Sequence, residues 1–217
     1  MTQRAAEPTP EFSPFEKAIR RFDAENSADP NRVMVEGQPC PKELAHAQWL
    51  TAWVHRLHPA PSEELLLAAR AQHLRRWQIP RETHPRTRQG YLQWREALKR
   101  FHAQSAGEIL LEFGYPEASI ARVRDLILKK NITTDQDGRT LEDALCLVFL
   151  EHQFDDLSAK TDEETLVGAL RKAWNKMSPS GHAAALGLKW TAEQTRILHL
   201  ALAPTSNHPQ RQAGTDA

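Results

Sequence analysis

The sequence predicts an all-α fold, a single globular domain of about eight to ten helices, and three observations point there. Apolar residues recur at steps of three and four in segment after segment. Serine or threonine precedes those segments and glycine or proline follows them, as helix caps and breakers do. No stretch of any length alternates apolar and polar residues as a half-buried strand would.

The 217 residues, 40% apolar and 26% charged, suffice for one sizeable core. The formal net charge is zero, so no global field draws the protein to nucleic acid or to a membrane surface. No apolar run reaches the roughly 18 residues of a membrane span, and the start, "MTQRAAEPTPEFSP", holds no apolar segment of signal length. Cys40 stands between prolines and Cys146 inside an apolar helix, which gives neither a disulfide framework nor a zinc spacing. The expected home is a reducing cytoplasm, with no membrane partner, no nucleic acid and no protein partner indicated.

Residues 1–12 read as a flexible arm, 13–203 as the domain and 204–217 as a disordered tail. The first helix opens at "SPFEKAIRRF": Ser13 caps, Pro14 suits the first turn and Glu16 closes a capping box. Phe15, Ile19 and Phe22 form its stripe. "RVMV" is a short extended piece, too brief to found a sheet. "KELAHAQWLTAWVHRLHP" sets His46, Leu50, Trp53 and Leu57 on one face, and Pro59 and Pro61 end it. Ser62 caps a third helix, on which Leu66, Ala69, His73 and Trp77 share a face. After a proline loop, Tyr91, Trp94, Leu98 and Phe101 mark a helix that runs on to Phe113, with Gly114 as its stop. Ile120, Val123 and Ile127 define the next and lead to Lys130. Thr140 starts "TLEDALCLVFLEHQF", apolar on nearly every side and therefore central, with Glu142 and Asp143 in its first turn. Leu166, Leu170, Trp174 and Met177 mark a further helix, "HAAALGL" another, and "TAEQTRILHLALA" the last.

Any chemistry falls to the polar residues that end these stripes. His46 and His73 lie on segments joined by a short proline turn, and antiparallel packing would bring both imidazoles to one interior point. That order of helices resembles the core of the His-Asp (HD) phosphohydrolases, where histidines and aspartates hold metal ions that activate water. The resemblance implies an HD-like core. However, Leu74 stands at the aspartate position, and Lys129 and Lys130 follow Ile127, so neither metal nor other cofactor is expected. Glu151, ending "LCLVFLE", is the nearest stand-in for the late aspartate, and with His46 and His73 it would complete a zinc-type set. The plain alternative makes both histidines core side chains hydrogen-bonded to neighbours.

Charge is segregated. Arg70 to Arg100 holds nine cations against Glu82 and Glu96, while Asp135 to Glu164 holds ten acids against Arg139 and Lys160. Such blocks either dock on one another or lie as solvated faces. The sharper reading draws donors from separate helices onto one small anion. Arg76 and Lys130 would hold it, and His73 and Glu151 would orient it or move a proton. No Ser-His-Asp order, glycine-rich phosphate loop or nucleotide fingerprint is present. The lead expectation is a metal-free, degenerate HD-like pocket for a small anionic or phosphorylated ligand, with hydrolysis as its extension. The rivals are a noncatalytic interaction or scaffold protein, whose polar cluster is structural, and a metal-dependent phosphohydrolase.

Five runs, "FEKAIRRFDAENSADPN", "AARAQHLRRWQIPR", "GYLQWREALKRFHA", "TLEDALCLVFLEHQF" and "KAWNKMSPSGHAAAL", resemble the bacterial and fungal family catalogued as domain of unknown function 4202. They span Phe15 to Leu186. The resemblance marks His73, Arg76, Trp77, Tyr91, Trp94, Arg95, Phe101, His102, Lys130, Glu142, Asp143, Glu151, Trp174 and His182. It adds Trp77, Arg95 and His102 to the ligand-binding candidates and implies no reaction. It also implies tyrosine where His46 stands, which shifts weight from a metal toward His73, Arg76, Lys130 and Glu151.

Overall fold

Helix α1 (Pro14–Ser27) begins with the expected capping box: Ser13 Oγ accepts from the Glu16 amide at 3.2 Å, and the Glu16 carboxylate accepts from the Ser13 amide at 2.8 Å. The computed structural model describes residues 12–132 and 134–203, among which ten α-helices share a single core and one β-hairpin lies outside it. The predicted arm, apart from Phe12, and the predicted tail lie outside the described residues. No helix among those described is long and apolar enough to cross a membrane.

The extended "RVMV" has a partner. β1 (Arg32–Val35) pairs antiparallel with β2 (Gln38–Pro41), Val35 opposite Gln38. Glu36 and Gly37, both at positive φ, make the two-residue turn whose twist suits a hairpin. Then come α2 (Lys42–Leu57), α3 (Glu63–Ala71), α4 (Arg88–Glu112), α5 (Glu117–Leu128) and α6 (Gln136–Val148). They are followed by α7 (Phe154–Ser158), α8 (Glu163–Trp174), α9 (Pro179–Leu186) and α10 (Ala192–Leu202).

Helix α6 is central, as its apolar circumference requires: it packs on α2, α3, α5 and α9, and buries Leu141, Ala144, Leu147 and Val148. It begins four residues before Thr140, because the Asp135 side chain accepts from the Asp137 amide as its cap while Arg122 clamps that carboxylate at 2.6 and 2.8 Å. Glu142 and Asp143 therefore lie in the second turn, buried, instead of at an exposed start. Past Val148 the backbone forms a π-helical turn over Phe149–Gln153 before α7. That turn shifts the register of every side chain beyond it, a feature that apolar periodicity does not announce.

The two charge blocks do not dock on each other. No ion pair among the described residues joins them; Arg70 and Arg75 instead bind Asp23 and Glu25 of α1.

Candidate anion-binding site

The apolar run from Leu65 to Leu74 would carry helix through His73 to Trp77, but α3 stops at Ala71. Arg75 stands at φ +54° and reverses the chain. Buried Asn26 fixes the reversal: its Oδ1 accepts from the Arg75 amide at 3.1 Å, and the Arg75 Nε donates to Glu25 at 2.8 Å. The turn leaves Leu74 fully buried and sends Gln72, His73 and Arg76 to the wall of a cavity of about 680 Å³. α4, α6, α8 and the end of α5 supply the other walls.

One wall is a set of imidazoles. His46 of α2 stacks on His73 with ring centroids 3.9 Å apart and planes within 18°. Tilted by 40°, His102 of α4 lies 5.9 Å from His73. Behind the stack sits Glu43, one helical turn before His46 and almost wholly buried. Its Oε2 is 3.1 Å from His73 Nδ1 and its Oε1 is 3.7 Å from Arg76 Nε. A carboxylate only accepts, so His73 Nδ1 carries the proton and Nε2 is left as a base. The Leu74 carbonyl, 2.8 Å from His102 Nδ1, fixes His102 in the same tautomer.

Burial lowers all three histidines. His46 and His73 fall well below the ordinary imidazole value, each reduced further by a neighbour, His73 for the first and Arg76 for the second. His102 is held down to about 4. At neutral pH the wall is therefore uncharged, which allows two imidazoles to stack face to face.

The cavity also gathers cations. Arg76, Arg95, Lys99, Lys129, Lys172 and Lys176 line the cavity against one carboxylate, Glu142. Glu142 is buried and bonds the ammonium groups of Lys129 and of Lys176, the latter at 3.3 Å. Burial pushes Glu142 up, but Lys129 and Lys176 outweigh it and hold the carboxyl below its usual range. Burial also lowers Lys129 and Arg76. Cys146 lines the same space, yet burial pushes its thiol up to about 12, so it is no nucleophile at neutral pH.

Three buried side-chain polar atoms find no hydrogen-bond partner among the described residues: His46 Nδ1, Gln72 Oε1 and His102 Nε2. All three residues line this cavity. A buried unpaired polar atom costs about 1–3 kcal/mol. The unpaired Nδ1 corrects the reading of His46 as a fully satisfied core histidine.

Of the residues singled out in the sequence, His73, Arg76, Arg95 and His102 meet here. Trp77 is half-buried and lies outside the cavity. Lys130 does not enter either: Lys129 takes the left-handed position that ends α5, and Lys130 turns to the surface, 2.7 Å from Asp125. Glu151 is likewise elsewhere. The π-helical turn sets it against Trp53 Nε1 at 2.7 Å, His152 at 3.1 Å and Arg56 at 3.7 Å. The carboxylate at the imidazoles is Glu43, and its sequence signal was the Glu-x-x-His spacing to His46 on one face of α2. The four-residue spacings of Arg95 with Lys99 and of Lys172 with Lys176 were equally legible.

Glu43, His46 and His73 are also the described residues best placed to hold a metal, with ligand atoms within 4.8 Å of one another. Glu43, not Glu151, would be the acidic member. Arg76 competes for that carboxylate. The ring stack competes as well, because imidazole lone pairs lie in the ring plane and near-parallel planes do not meet at one ion.

A family described as a domain of unknown function, DUF4202, matches residues 16–198 of the chain. No curated protein and no solved structure matches it.

Proposed function

The chain belongs to the DUF4202 family, so its function has to be read from its own cavity, and we propose that it binds a small phosphorylated or otherwise anionic molecule there. One observation carries the reading: six cationic side chains from four parts of the chain line one concave space against a single carboxylate. A fixed excess of positive charge in a partly dehydrated hollow favours a compact anion. Arg76 offers its planar fork and Lys129 a point charge. A phosphoryl or carboxylate group would take the place of Glu142 at Lys129 and of Glu43 at Arg76, or share each cation with its carboxylate.

Beside that anion stands a neutral imidazole with a carboxylate behind it. Glu43 fixes the tautomer of His73, and Nε2 of His73 can take a proton from a hydroxyl or a water next to the bound group. Hydrolysis or another proton-coupled step on a phosphate ester is the chemistry this arrangement suits.

Isothermal titration of the full chain with orthophosphate, sugar phosphates, nucleotides and dicarboxylates tests the reading. Binding should appear for at least one class and be lost in Arg76→Ala and in Lys129→Ala. Loss of stability without any change in binding would make the cluster structural and refute the proposal.

A second reading rests on the Glu43, His46 and His73 grouping, whose two neutral imidazoles meet the deprotonation that metal binding needs. Elemental analysis of protein purified without chelator separates the two readings.

A further inference from the structure

The cations of the cavity stand at two depths. Arg76 and Lys129 are mostly covered, with side chains 28% and 21% exposed. Arg95 and Lys172 are exposed at the mouth, and Lys176 is about half exposed. Four of the cations come as two pairs four residues apart, Arg95 with the more covered Lys99 on α4, and Lys172 near the end of α8 with Lys176 just past it. Residues four apart on a helix lie one above the other, about 6 Å along its axis. Like charges so placed repel, as Arg95 and Lys99 do on α4.

Local structure does not explain both. Lys172 and Lys176 offset the negative end of α8, but Arg95 and Lys99 sit well inside α4, beyond the reach of either end of its dipole. Lys99 has Glu96 at 2.7 Å, and Lys176 shares Glu142. Arg95 and Lys172 form no ion pair among the described residues. Arg95 bonds only the Tyr91 hydroxyl at 3.3 Å, with its guanidinium 5.8 Å from that ring's centroid.

We infer that the ligand carries at least two phosphoryl groups, one held deep by Arg76 and Lys129 and one held at the mouth by Arg95, Lys172 and Lys176. This rests on the anion-binding reading and narrows it. The Arg95 fork and the ammonium of Lys172 are the free donors for the outer group. Leu98, Leu145 and Ala173 are among the apolar side chains that line the same cavity. The class fits either a phosphoanhydride chain or a compact scaffold bearing two phosphate monoesters.

Titration of the full chain at fixed ionic strength with orthophosphate, tripolyphosphate and a hexose bisphosphate tests this. Tripolyphosphate or the bisphosphate should bind at least tenfold more tightly than orthophosphate. Which of them gains tells the anhydride chain from the two esters. The double variant Arg95→Ala with Lys172→Ala should weaken binding of the larger anion at least fivefold more than it weakens binding of orthophosphate, and equal weakening of both overturns the inference. Arg88→Ala with Lys189→Ala removes two exposed cations that do not line the cavity, and it should keep the gain. The inference is overturned if neither larger anion binds more tightly than orthophosphate. It is also overturned if the control variant erases the gain as well, since the effect is then one of overall charge. Failure of all three anions to bind the wild-type chain overturns the anion-binding reading itself.

Discussion

Glu43 Oε2 and His73 Nδ1 meet at 3.1 Å, although thirty residues separate them in the sequence. The pair links α2 to the turn after α3 and gives the histidine its tautomer. Glu43 also stands 3.7 Å from Arg76, so two side chains of the cavity wall depend on one buried carboxylate. Glu43→Leu should cost about 3 kcal/mol, the scale of a buried charge left without its partner. Chemical denaturation measures that loss. Imidazole nitrogen NMR should show the Nδ1–H form of His73 in the wild-type chain and a mixture of tautomers in the variant.

Acid should loosen the fold before the carboxylates titrate. His102 takes a proton at about 4 in the folded chain and near its ordinary 6.5 when unfolded. The unfolded state therefore binds more protons between those values, and stability falls as pH drops through that window. At pH 5 the loss from His102 is about 2 kcal/mol, and the lowered values of His46 and His73 act in the same direction. Urea midpoints at pH 7 and pH 5 should differ accordingly. In His102→Gln the difference should shrink by roughly the His102 share.

Glu142 is the internal counter-ion of Lys129 and Lys176. Glu142→Gln should lower stability by about 3 kcal/mol, and added phosphate should recover part of it by binding the folded state alone. Thermal melting with and without phosphate reads both effects. A loss that phosphate does not touch would mean that the two ammonium groups are not open to an anion.

The helices were legible because their apolar stripes, caps and breakers agree with one another. Ser13, Ser62 and Gly114 act where expected. The site was half legible. His73, Arg76, Arg95 and His102 converge, but three neighbours were displaced by backbone events that helical spacing cannot forecast. The αL turn at Arg75 depends on Asn26, forty-nine residues earlier. The αL stop at Lys129 exchanges one lysine for the next. The π-helical turn carries Glu151 away. Glu43 went unnoticed because an acid in the first turn of a helix has an ordinary explanation in the dipole.

Glu151→Gln should leave anion binding unchanged while weakening the packing around Trp53, whose indole N–H donates to that carboxylate at 2.7 Å. The expected cost is about 1 kcal/mol, with a shift in tryptophan emission. Loss of anion binding would return Glu151 to the site.

Gly181 faces Asp143, and a Cβ there would meet its carboxylate oxygen at 2.6 Å. That carboxylate accepts from the Ser178 amide at 2.7 Å and from its hydroxyl, which seats α9 on α6. Gly181→Ala must push the carboxylate off, so about 2 kcal/mol of stability should be lost. Denaturant titration of the variant checks it.

Two adjacent lysines end α5 with opposite fates, and a single residue at φ +61° decides between them. Chain length therefore governs this junction more strictly than composition does. Inserting one residue between Leu128 and Lys129 would keep both amines yet turn the inner one away from the cavity. The hollow would lose a charge with no change in the protein's overall titration. A comparison of natural variants by amino-acid content alone would miss that loss, whereas the spacing from Val123 to Asp135 would reveal it.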